Sequence, residues 1–233
     1  MRVLTGTSGY CYKEWKGSFY PEDLPADEML RHYAGKLSAV EINNTFYRMP
    51  RAEMLARWAE QVPDGFRFAL KASQQITHRK RLKDAADSVA YFFQVAVTLG
   101  DRMGPVLFQL PPNLKKDLPR LTDFLAALPP ASRCAFEFRH ETWFSDDVFG
   151  ALGARGAALC LAEDEELATP FVATTGWGYL RLRRQDYGEE DLRDRAGKVL
   201  SQPWSEAYVF FKHEEGGKGP KLAQALTGIL GTA

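Results

Sequence analysis

The chain has 233 residues, 45% of them hydrophobic and 26% charged, enough to enclose a substantial globular core. Thirty basic residues balance thirty acidic ones, so bulk charge gives no support to a polyanion partner, and any anion site must be a local patch. Cys11, Cys134 and Cys160 are scattered singly, which argues against a disulfide framework or a zinc ribbon, and no apolar run reaches membrane-spanning length.

Short β-rich runs recur in chain order from end to end. RVLTGT at 2–7 starts the series, so the N-terminus reads as a strand without the basic and apolar run of a signal peptide; a reduced, cytoplasmic compartment is expected. AVEIN follows at 39–43, FRFALKAS at 66–73, PVLFQLPP at 105–112 and CAFEFRH at 134–140. AALCLAE at 157–163, GYLRLRR at 178–184 and AYVFFKH at 207–213 complete it. Helical periodicity fills most of the intervals: 28–37 behind Asp27, 51–62 behind Pro50, 84–99, 118–128, 146–154, 189–200 and 220–230. EDEELATP, between the sixth and seventh strands, promises no more than a single turn.

Eight strands alternating with about seven helices imply a parallel sheet. The predicted fold is α/β, a (β/α)8 TIM-like barrel occupying residues 1–233 as one domain. A doubly wound open sheet is the alternative, but GTSGYCYKEW after the first strand supplies no G-x-G-x-x-G loop. No linker-like or repetitive segment divides the chain.

Parallel strands covered by helices usually read apolar throughout. Several of these keep one polar face. Residues two apart share a face, which pairs Glu41 with Asn43, Lys71 with Ser73, Glu137 with Arg139 and Arg181 with Arg183. Gln109 and Lys212 likewise oppose apolar neighbours in their own strands. In a closed barrel the apolar set meets the helices, so the polar set is predicted to enter the lumen at the C-terminal mouth, where barrel active sites lie. The first strand, with Thr5 and Thr7, and the sixth, nearly all small or apolar, fit this phase least well. Two carboxylates, Glu41 and Glu137, face five cations, Lys71, Arg139, Arg181, Arg183 and Lys212, so three positive charges stand uncompensated. Unpaired buried ions are costly. A phosphate or carboxylate ligand would meet that need; the bland alternative is a structural ion network.

The loop GTSGYCYKEWKGSFYP at 6–21 is rich in aromatic residues, and Tyr10 and Trp15 read as a stacking wall for a base or sugar. Asn43 and Tyr47 follow the second strand and His78 the third; His140 and His213 close the fifth and eighth. Histidine is the natural acid–base group near neutrality. Glu41, Glu137, Asp164, His140 and His213 are the candidate ligands for a divalent metal, but no HExxH or comparable motif occurs, and a metal is not favoured.

Six motifs in order, GTSGYCYKEWKGSFYP, VEINNTFYRMP, FALKASQQITH, FQLPP, FEFRHETW and YLRLRR, resemble the YecE-like family, domain of unknown function 72, from about residue 3 to residue 230. The resemblance implies a TIM-like barrel and brings no assigned activity. It implies motif membership for Gly6, Thr7, Ser8, Gly9, Trp15, Glu41, Asn43, Thr45, Phe46, Tyr47, Lys71, His78, Gln109, Glu137, Arg139, His140, Trp143 and Arg181. Tyr10 stands where tryptophan is frequent, Arg183-Arg184 replaces a common His-Gly, and Lys212-His213-Glu214 replaces a common Asn-Asn-Asp. The last two departures make this mouth the more cationic.

The expected function is an enzyme acting on a phosphate-bearing small molecule, nucleotide or nucleic acid, with hydrolysis of a phosphodiester or phosphate ester as the reaction class. Arg139, Arg181, Arg183 and Lys212 would hold the anion, Glu137 or Glu41 would act as base, and His140 as acid. Tyr10, Trp15 and Tyr47 would face the base or sugar. Sugar isomerase, aldolase or glycosidase chemistry through Glu41, Glu137 or Lys71 is the competing enzyme reading. A non-catalytic nucleic-acid or metabolite-binding module is the third.

Overall fold

A computed structural model describes residues 1–163 and 167–231. Eight strands, β1 (Arg2–Ser8), β2 (Ala39–Ile42), β3 (Arg67–Lys71), β4 (Met103–Gln109), β5 (Cys134–Glu137), β6 (Ala158–Glu163), β7 (Trp177–Leu182) and β8 (Glu206–Phe211), pair in parallel in sequence order. β1 pairs with β8, from Arg2 against Glu206 to Thr7 against Phe211, and closes the barrel. The helices are α1 (Met29–Ala34), α2 (Asn44–Tyr47), α3 (Ala52–Glu60), α4 (Ala86–Ala96), α5 (Leu118–Ala126), α6 (Asp146–Arg155), α7 (Glu189–Leu200) and α8 (Lys218–Gly231). No helix is long and apolar enough to cross a membrane among the described residues.

Local chemistry sets several of these boundaries. The Asp117 carboxylate accepts the Arg120 N–H and Pro119 occupies the first turn, which starts α5 where the sequence places it. Gly156 ends α6 in the left-handed region at φ 67°, a conformation a Cβ would strain. The one-turn helix α2 is too short for any periodicity to announce it. Between β6 and β7 no helix occurs among the described residues, and residues 164–166 of that connection, Asp164 included, lie outside them.

Alternation sorts the strand side chains into two layers. Val40, Ile42, Phe68, Leu70, Phe108, Phe136, Leu180, Leu182, Val209 and Phe211 join the helices in the main core. Leu4, Ala39, Ala69, Leu107, Ala135, Cys160, Tyr179, Tyr208 and Phe210 form a second apolar cluster inside the barrel. The lumen is therefore a packed floor, and polar residues one step further along their strands stand on it. The sixth strand is small because its partners are large: Cys160 lies in register with Tyr179, and Ala162 with Arg181. On β1 the inward phase is Leu4, Gly6 and Ser8. Thr5 and Thr7 face the helices, where Thr5 Oγ1 meets Thr227 Oγ1 at 2.5 Å and Thr7 Oγ1 meets the Tyr33 hydroxyl at 2.8 Å.

The Tyr33 hydroxyl is wedged between β1 and β2, accepting the Thr7 N–H at 2.8 Å and donating to the Ala39 carbonyl at 3.0 Å. Only glycine leaves room there, since a Cβ on Gly6 would fall 1.8 Å from the Ala39 oxygen. Gly6→Ala should lower the unfolding free energy in urea by about 3 kcal/mol or more. Gly150→Ala in α6, where a Cβ meets nothing within 4 Å, should raise it by about 0.5–1 kcal/mol. Equal stability of the Gly6 variant and the parent would contradict the wedge.

Candidate active site

At the C-terminal mouth, β7 carries Arg181 across the top of the packed floor. Its Nη2 donates to Glu41 Oε1 at 2.8 Å and its Nη1 to Glu137 Oε2 at 2.6 Å. Arg181 is 2% exposed and both glutamates 0%. Each carboxylate is then completed by neighbours. Ser8 Oγ donates to Glu41 at 2.6 Å and the Tyr179 hydroxyl at 2.7 Å. Gln109 Nε2 donates to Glu137 at 2.7 Å and Arg183 Nη2 at 3.1 Å. Five strands are thereby tied together by one buried network.

Burial opposes ionisation of Glu137, yet the charges of Arg181 and Arg183 outweigh it and hold its pKa at about 2 instead of 4.5. Burial works against the Arg181 cation too, but Glu41 and Glu137 keep it firmly protonated. The two carboxylates expected to act as bases are thus found occupied. Glu41 and Glu137 each accept three donors, and Glu137 has almost no proton affinity near neutrality.

Lys71, at the end of β3, has a different environment. Its Nζ lies 4.4 Å from the centre of the Phe46 ring, and among the described residues it makes no hydrogen bond or ion pair. Burial and then the Arg181 charge lower its pKa to about 8, with Glu41 and Glu137 pulling upward and Lys212 downward. His78 stands edge-on to the same Phe46 ring at 4.9 Å, with Nδ1 2.9 Å from Thr77 Oγ1. Burial lowers its pKa, followed by Lys71, Arg139 and Arg81. The segment carrying His78 is a single wide turn, Gln75–Arg79, followed by left-handed backbone at Arg81, Leu82 and Asp84. Such strain collects at functional sites.

Arg139, His140 and Arg183 are half-buried around this mouth and Lys212 is exposed. His140 Nδ1 accepts the Thr142 N–H at 3.3 Å, so a neutral ring carries its proton on Nε2. Gln109, Asn43 and Tyr10 also lie at this end. Asn43 and Tyr10 line a cleft of about 130 Å3, in which Asn43 Oδ1 is buried without a hydrogen-bond partner. Tyr10 leans on Tyr33 and Trp58, with ring centres 6.2 and 6.4 Å away.

Two expected ligand contacts, Trp15 and His213, are not brought to the mouth, and a third, Tyr47, sits at its edge. Trp15 is 0% exposed, donates Nε1–H to the Glu214 carbonyl at 2.7 Å, and packs among Tyr12, Phe19 and Tyr20, so its ring offers no stacking face. His213 falls one residue out of phase with Lys212. Its Nε2 sits 2.7 Å from the Arg184 carbonyl oxygen and its ring against Tyr187, on the helix side of β8. Tyr47 is 72% exposed; its ring stands perpendicular to Phe46 with centres 5.0 Å apart, and it lines a groove of about 710 Å3 that shares Asn44 and Trp58 with the cleft of Asn43 and Tyr10. Among the described residues, no group of three or more His, Cys, Asp or Glu side chains could hold a metal ion; Asp164 is not among them.

Four contributors were missed in the sequence-based list of site residues. Ser8 and Tyr179 share the inward phase of Gly6 and Arg181, so parity alone could have found them. Phe46 and Thr45 sit in the one-turn helix α2, where Thr45 Oγ1 donates to the Lys71 carbonyl at 2.6 Å, and only the motif likeness marked them.

The model of the family described as protein of unknown function DUF72 matches residues 4–233. The chain belongs to the DUF72 family. Curated relatives include the UPF0759 protein YecE of Escherichia coli, 36% identical over a stretch covering 50% of this chain and 43% of that protein. The UPF0759 protein YunF of Bacillus subtilis is 29% identical over 57% of this chain and 50% of its own length. The matches thus span half or less of those relatives. A crystal structure of a DUF72 family protein from Thermotoga maritima superposes with a TM-score of 0.86 at 26% identity, covering 99% of this chain and 100% of that one. A DUF72 family protein from Enterococcus faecalis gives 0.83 at 17% identity over 99% and 96%, a likeness of fold.

In this DUF72 barrel the folded pKa of Glu137 lies below its ordinary value, so its ionisation adds stability above pH 4.5 that is lost as pH falls toward 2. Glu137→Gln should therefore flatten the decline of unfolding free energy across that acid window, measured by urea titration at stepped pH. Arg181→Met leaves two buried carboxylates unbridged and should cost about 3–5 kcal/mol at neutral pH. A parent-like acid profile in the glutamine variant would contradict the network.

Proposed function

We propose that this DUF72 protein is an enzyme acting on a small phosphate-bearing substrate held at the C-terminal mouth of the barrel. One observation carries the reading. Lys71 and His78, two groups that sense the local potential, are both biased toward their neutral forms by burial and by surrounding cations. Perturbed titrating groups at one end of a barrel favour a site over a solvated charged face. An arriving phosphate would relieve that positive field, whose sources include Lys71, Arg139, Arg181 and Lys212.

The residues divide the work. Glu41 and Glu137 hold Arg181 and Arg183 in place. Lys71 and the neighbouring cations bind the anion, and His78 and His140 are the groups suited to proton transfer. Both carboxylates are occupied, so any base for hydrolysis would have to be His78 or His140; the phosphate is read as a binding handle. A glycosidase needs a carboxylic acid with a raised pKa, opposite to the shift on Glu137. With Trp15 buried and Tyr10 packed on Tyr33 and Trp58, the aromatic wall a nucleobase would want is largely absent, which favours a small ester over a base-stacking strand.

Calorimetric titration with inorganic pyrophosphate tests this. Affinity should fall with added salt and fall again as pH rises through about 8, where Lys71 loses its proton. Lys212→Ala should weaken binding by about three- to fivefold, the worth of an exposed ion pair. No heat of binding at low salt, or affinity indifferent to both pH and Lys212, would overturn the proposal.

A further inference from the structure

We propose that Lys71 is a nucleophilic amine that forms an imine with the carbonyl carbon of a phosphorylated aldehyde or ketone. This rests on the phosphate reading above and names the chemistry of the same site.

An imine-forming lysine must be reachable, must lack a carboxylate that keeps it protonated, and needs a proton relay nearby. Lys71 meets each requirement. It ends β3 on the lumen face, half-buried, and its Nζ has only the Phe46 ring as a close partner among the described residues. The carboxylates that would ordinarily quench it, Glu41 and Glu137, are bridged by Arg181 instead. His78 packs nearly perpendicular to the same Phe46 ring, with ring centres 4.9 Å apart, and lies near enough for the Lys71 charge to act on the imidazole. The lowered pKa of Lys71 agrees with this geometry: at about 8 it leaves roughly a tenth of the side chain as free amine at pH 7.

The step balances without any further reagent. The Nζ lone pair forms a C–N bond to the carbonyl carbon, and the C=O π pair moves to oxygen, which takes up a proton. Neutral His78 takes the proton that the nitrogen sheds and delivers it to the hydroxyl, which the carbinolamine then expels as water. Amine, carbonyl and one proton give a protonated imine and one water, with no change of oxidation state. The substrate phosphate would lie in the field of Arg139 and Lys212.

The test uses pyridoxal 5′-phosphate as a phosphorylated aldehyde, borohydride to lock any imine, and peptide mass mapping to locate it. Lys71 should be modified about tenfold faster than any other lysine, because its lowered pKa places a free-amine fraction in a phosphate-attracting field. Unphosphorylated pyridoxal should react about tenfold more slowly, inorganic phosphate should compete, and Lys71→Arg should abolish the label while still binding phosphate by calorimetry. Labelling spread evenly over surface lysines, or unchanged in the arginine variant, overturns the imine. If phosphate binds and Lys71 stays unlabelled, the imine alone fails; if phosphate does not bind the parent protein, the phosphate reading fails with it.

Discussion

Arg181 reaches across the top of the barrel and holds a carboxylate with each terminal nitrogen of its guanidinium, at 2.8 Å to Glu41 and 2.6 Å to Glu137. The pair of contacts spans from β7 to β2 on one side and to β5 on the other. A buried ion bridge of this kind adds little net stability over an apolar replacement. What it supplies is a fixed geometry. Both glutamates are oriented by three donors each, Glu137 is held ionised, and Lys71 is left among cations without a counterion of its own in hydrogen-bonding range among the described residues. On the proposed reading, structural network and functional site are not competing descriptions, because the first would produce the second.

That geometry needs a dry, rigid floor. Tyr179, Tyr208 and Phe210 fill the lumen opposite the small residues of β6, and Cys160 and Ala162 leave the volume that Tyr179 and Arg181 occupy. A bulkier sixth strand would displace the guanidinium from the two carboxylates. Size complementarity between adjacent strands thus reaches directly into the electrostatics of the mouth.

The barrel itself was legible because the strands advertise it. Alternation across AVEI, CAFE and WGYLRL puts apolar side chains toward helices and polar ones toward the lumen, and the structure keeps that phase at Glu41, Glu137 and Arg181. Where residue type overrode phase, the expectation missed. Thr5 and Thr7 read as fitting the lumen phase least well and do face the helices, but Ser8, which has the inward parity, was passed over as a site residue. His213 was counted as a histidine near the mouth, although a residue adjacent to Lys212 must face the helices. Trp15 shows a different limit: aromatic density marks a cluster but does not say whether a ring lines a cavity or plugs one. Phe46 was invisible to pattern, since one turn of helix carries no period. Charge counting could not say which cations the glutamates would claim: Arg181 bridges both and Arg183 joins it at Glu137.

The central claim is that Arg181 takes both glutamates and so leaves Lys71 in a cationic, partly dry environment. Heteronuclear NMR titration of the Lys71 side chain in the intact protein, with selectively labelled lysine, tests it most directly. The account predicts a midpoint near 8. A midpoint at the ordinary lysine value of 10.5 would show that a carboxylate still serves Lys71, and would contradict it.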